Sequence, residues 1–71
     1  MTEYVVVFER AGANYSAYVP DLPGCITTGA TLDQTEANIR EAIELYLEAL
    51  AADGLAAPEP TACAHSVRVT Q

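Results

Sequence analysis

The 71-residue chain sets ten acidic residues against three arginines and no lysine, a formal charge of −7. Such a surface repels the phosphate backbone that nucleic-acid binders neutralise with Lys and Arg, so direct binding to DNA or RNA is disfavoured and a basic protein partner is favoured. The length allows one domain, 1–71, which buries only about 60% of its unfolded surface, so a homo-oligomer is an expected remedy.

The N-terminus has no basic n-region and its apolar run ends at Glu9, which reads as a strand rather than a signal peptide. No run approaches the roughly 18 apolar residues of a membrane span. A cytoplasmic protein with no membrane contact is expected.

Tyr4–Phe8 is the most β-prone run, at the centre of a first strand over about 3–9. Tyr4, Val6 and Phe8 share one face, Val5 and Val7 the other. Ala11-Gly12-Ala13-Asn14 is a short loop in which Gly12 and Asn14 both tolerate positive φ, predicting a hairpin. The second strand covers about 15–20, with Tyr15, Ala17 and Val19 opposite Ser16 and Tyr18. Pro20 ends it, and Pro23-Gly24 occupies the two central places of a type II turn. A third strand follows at about 25–28.

Thr31-Leu32-Asp33-Gln34 reads as a capping box, with Gln34 reaching back to the Thr31 amide. Leu32, Ile39, Ile43, Leu47 and Leu50 then recur at helical spacing, widened by Ala42 and Tyr46. Glu36, Arg40 and Glu44 form i,i+4 opposite-charge pairs. Gly54 suits the helix stop, giving a helix over about 32–52. Leu55–Ala62 is a stiff extended connector, and the alternation of His65–Thr70 predicts a fourth strand at about 65–70.

These directions imply an α+β fold, β-β-β-α-β. A three-stranded antiparallel meander gains a fourth, parallel strand at an outer edge, beside strand one or strand three. One long helix covers one face. The other face, with Val5, Val7 and Tyr18, is left bare and is the candidate self-association surface, for a dimer or tetramer. Asp33, Glu36, Glu41, Glu44 and Glu48 lie on the predicted polar side of the helix and are the candidate partner-binding residues.

No catalytic constellation stands out. Cys63-Ala64-His65, with Cys25, falls short of a tetrahedral zinc set, and structural filler is the better reading. A Cys25–His65 nucleophile lacks an orienting third group. Tyr4, Tyr15 and Tyr18 have no basic residues between them to hold a single strand. No enzyme activity, metal or cofactor is expected.

Tyr15, the run Ala17-Tyr18-Val19-Pro20-Asp21-Leu22-Pro23-Gly24-Cys25, Gly29 and Thr31-Leu32 closely resemble the HicB-like antitoxin family. The likeness continues through Glu36–Leu47 and the loop at Asp53-Gly54 and Pro58-Glu59-Pro60. The resemblance implies a degenerate ribonuclease H-like unit with strand four beside strand one. Tyr4–Phe8 holds no carboxylate, so nuclease chemistry does not carry over. The resemblance also implies an antitoxin that masks a small basic RNA-cleaving HicA toxin. This chain reads as a short form without the C-terminal DNA-binding segment of longer members. An orphan homo-oligomeric domain that binds a small ligand or another protein is the alternative.

Overall fold

The computed structural model describes residues 2–71; Met1, with which the expected domain begins, lies outside them. In chain order it forms β1 (Val7–Ala11), β2 (Asn14–Tyr18), β3 (Ile26–Gly29) and α1 (Leu32–Ala52). The strands make one antiparallel sheet in the order β1-β2-β3, and α1 packs on β2 and β3. The expected α+β meander with a long helix on one face is therefore present.

The first hairpin is tighter than expected. Ala11 pairs with Asn14, so only Gly12 and Ala13 form the loop, and Gly12 alone has positive φ, +63°. Glycine with positive φ at the first of two loop residues is the type II′ arrangement, whose twist suits a hairpin.

β1 starts four residues later than expected, at Val7, because β2 ends at Tyr18. Beyond Tyr18 the backbone leaves the ladder: the Val19 amide donates to the Cys25 carbonyl at 3.1 Å instead. Two consecutive turns fill the interval. The Leu22 amide donates to the Val19 carbonyl at 3.1 Å, and the Cys25 amide to the Leu22 carbonyl at 3.0 Å. The second is the expected Pro23-Gly24 turn, with Gly24 at φ +83°. It drives Leu22, fully buried, beneath the sheet end beside Val19 and Cys25.

Ala17, Val19, Leu22, Cys25 and Ile39 form the buried core, with Tyr4, Val6, Phe8, Ala42, Ile43, Tyr46 and Leu47 packed against it. Leu32, expected in the apolar stripe, is 48% exposed at the helix start.

Thr31 caps α1, its Oγ1 accepting from the Gln34 amide at 3.1 Å. Gln34 Oε1 reaches back to the amide of Ala30, at 2.9 Å, and not to that of Thr31. At the other end Leu55 donates to the Leu50 carbonyl and Gly54 to that of Ala51, a Schellman closure with Gly54 at φ +73°.

The fourth strand is not formed. Residues 55–71 hold no helix or strand, and Val67 and Val69 are 80% and 67% exposed. Residues 63–71 lie exposed off the body and do not run along the outer edge of β1, which is unpaired among the described residues.

Candidate partner-binding surfaces

Alternation across the paired strands builds the open sheet face. Val7 pairs with Tyr18, and Tyr18 with Ile26, so these three form one row on the side away from α1. Tyr18 is 40% and Ile26 64% exposed, while Val5 and Val7 are half-buried. The expected residues Val7 and Tyr18 are thus brought together. Ile26, the most exposed of the row, was not singled out from sequence; its alternation with buried Cys25 is the signal that marks it. Glu9 pairs with Ser16 in the next row and is exposed. It lies within β1 as formed, beyond the Tyr4–Phe8 run.

Asp33, Glu36, Glu41, Glu44 and Glu48 are all exposed on α1. At 3.6 residues per turn they span roughly 140° of its circumference. Arg40 meets Glu36 at 3.7 Å; the expected second pair with Glu44 is not made. Arg10 lies 5.8 Å from the centre of the Tyr15 ring. The helix acids therefore keep nearly all their charge uncompensated.

Three of these acids border one or other of two depressions. A groove of about 530 Å³ runs between the N-terminal segment and α1, floored by Val6, Phe8, Ile39 and Ile43 and rimmed by Glu3, Glu36 and Glu44. Glu41 instead borders a smaller hollow, about 250 Å³, with Thr27, Asn38 and Leu45. Asp33 and Glu48 line neither.

The tail is held at two places. The Tyr4 hydroxyl donates to the Pro58 carbonyl at 2.6 Å. The Asp21 carboxylate accepts from the amides of Ala62 and Thr61, each at 3.0 Å, and from the Thr61 hydroxyl at 2.8 Å. These donors, the Ala62 amide foremost and then the Thr61 hydroxyl, hold the Asp21 carboxyl below its ordinary range. Sequence gave no sign of this clamp, whose partners are 40 and 41 residues apart.

Cys25 is buried, and burial pushes its thiol up. Cys63 is exposed, so reading it as buried filler does not hold. Among the described residues no three His, Cys, Asp or Glu side chains gather closely enough to hold a metal ion. Among the described residues no helix is long and apolar enough to cross a membrane.

A profile of the HicB-like antitoxin of bacterial toxin–antitoxin systems matches residues 4–70. The chain belongs to the HicB-like antitoxin family. A UPF0150 protein of Helicobacter pylori is 48% identical to the HicB-like chain over 50 residues, 70% of this chain and 69% of its own length. A Synechocystis UPF0150 protein is 40% identical over 57 residues, 79% of this chain and 72% of its own. Among solved structures, a chain of the HicA3 and HicB3 toxin–antitoxin complex superposes with a TM-score of 0.70 at 28% identity. That match covers 84% of the HicB-like chain and 70% of the other.

Proposed function

We propose that this HicB-like domain is an antitoxin that binds and masks a small basic RNA-cleaving toxin of the HicA type. The observation that carries the reading is the family match over residues 4–70. The physical support is the acidic side of α1: a protein surface made to hold RNA is basic, and exposed carboxylates compete for it and speed the encounter. Asp33, Glu36, Glu41, Glu44 and Glu48 are the contact residues of this proposal. The role is stoichiometric and non-catalytic, needs no cofactor, and involves no nucleic-acid binding by this chain alone. The finer fold reading, a degenerate ribonuclease H-like unit in a cytoplasmic protein, belongs to the same proposal.

Co-expression tests it. The small basic protein encoded in the adjacent reading frame is expected to co-purify with this chain and to stop cleaving RNA when bound. A neighbour that is absent, or that does not bind, removes the reading.

A second reading, self-association, is favoured by the Val7–Tyr18–Ile26 row. These side chains, with Val5, leave an apolar strip in water that a second copy would cover. This holds for an antitoxin and for an orphan homo-oligomeric domain alike.

A further inference from the structure

The tail and the groove each lack what the other offers. Past the Asp21 clamp, residues 63–71 leave the body. The molecule is 49 Å long although α1 accounts for only about 30 Å, and its radius of gyration is 13.9 Å against about 11 Å for a compact chain of this size. The projecting segment is not polar throughout. Val67 and Val69 alternate with Ser66, Arg68 and Thr70, the pattern of a strand with one buried face, yet both valines stand in water.

The body carries the matching vacancy. The sheet stops at β1, whose outer edge has no partner among the described residues, and the groove of Val6, Phe8, Ile39 and Ile43 opens beside that edge. The outer edge of β3 is also free among the described residues, but the hollow on that side is smaller and is bordered by the polar Thr27, Asn38 and Glu41. An added strand therefore gains apolar cover at β1 and little at β3. Charge favours docking of the tail on the body as a whole. Every acidic residue lies at or before Glu59, so residues 1–60 carry −8 and residues 61–71, with Arg68, carry +1.

We propose that two copies exchange their C-terminal segments, residues 65–70 of each lying as a strand along the outer edge of the other's β1, with Val67 and Val69 closing its groove. In the single chain the tail past the clamp at Thr61 and Ala62 does not fill its own groove: Val67 and Val69 stay in water. Reciprocal exchange about a two-fold axis pairs both exposed edges and leaves neither copy with a free β1. It also adds core to a domain with five buried apolar side chains among the described residues. The proposal concerns this chain alone and stands whether or not a toxin is bound.

Sedimentation of the full chain separates this contact from the open sheet face. The Y18S/I26S variant, stripped of the open-face row, is expected to remain a dimer at micromolar concentration. Adding V67D and V69D, both in water in the single chain, is expected to raise the dissociation constant at least about a hundredfold and give monomers. Their positions spare the body, so the helical circular-dichroism signal should be unchanged. Isotope-filtered spectra of a mixed labelled and unlabelled dimer should show Val67 and Val69 methyls against Val6 and Phe8 of the other copy. A monomeric Y18S/I26S protein overturns the exchange, as does a dimer indifferent to V67D/V69D. So does a tail found in its own groove, or a groove that fills only when a basic partner protein is added.

Discussion

Gly29 passes so close to Thr35 that a methyl group on Gly29 would lie 2.5 Å from the Thr35 hydroxyl oxygen and 2.8 Å from its backbone nitrogen. Thr35 is fully buried, and its hydroxyl already donates to the Thr31 carbonyl at 2.7 Å. The end of β3 and the first turn of α1 are therefore in direct contact, with no room for a side chain between them.

Gly29→Ala is expected to destabilise the fold by about 1–3 kcal/mol, since the obstacle is partly backbone and cannot rotate aside. For a domain of this size each 1 kcal/mol lowers the melting temperature by roughly 4–8 °C. Thermal denaturation checks it; Gly12→Ala, which meets no atom within 4 Å, controls for the loss of a glycine, although its φ of +63° carries its own strain.

The Asp21 clamp should respond to acid. Its carboxyl titrates below the ordinary value in the folded chain, so its contribution is complete above about pH 4 and is lost as pH falls through the lowered value. The protection factors of the Thr61 and Ala62 amides, taken against the intrinsic rate at each pH, should fall over that interval. In Asp21→Asn the same amides should exchange fast at neutral pH, with little change for those within α1.

How much of this was readable beforehand depends on how local the cause is. The Pro23-Gly24 turn, the Thr31 cap and the Gly54 stop each rest on a few adjacent residues, and each is where the pattern put it. The start of β1 was misplaced because it is decided by where β2 ends, at Val19 turning toward Cys25. The back-reach of Gln34 shifted by one residue, from Thr31 to Ala30, a choice between neighbouring amides that composition does not distinguish. The tie of Asp21 to Thr61 spans 40 residues and needs the folded chain. The acidic candidates were legible as one helix side. Their division, Glu36 and Glu44 on the groove and Glu41 on the opposite flank, depends on where the sheet lies beneath them.

The two thiols should differ sharply. Cys63 is exposed, while Cys25 is 5% exposed and its thiol is raised by burial. An aromatic disulfide reagent near pH 8 should consume one thiol quickly and the second only on unfolding. Cys63→Ser should abolish the fast phase. A fast phase that survives it would mean that Cys25 opens readily to solvent.

The charge of α1 should govern the rate of partner capture more than its duration. Neutralising Asp33, Glu36, Glu41, Glu44 and Glu48 together as Asn or Gln is expected to slow association with the basic partner about tenfold or more at low salt. The difference should shrink as ionic strength rises. Equal association rates for both proteins at low salt would count against these residues as the contact surface.

The helix and the Val7–Tyr18–Ile26 row lie on opposite sides of a single sheet. Whatever covers the bare strands leaves the carboxylates of α1 facing outward, so the two surfaces do not compete for space. An assembly of several copies would then gain valency without losing sites, one acidic helix for each chain it contains. A partner presenting more than one basic surface would be held by several helices at once, at an effective concentration set by their spacing.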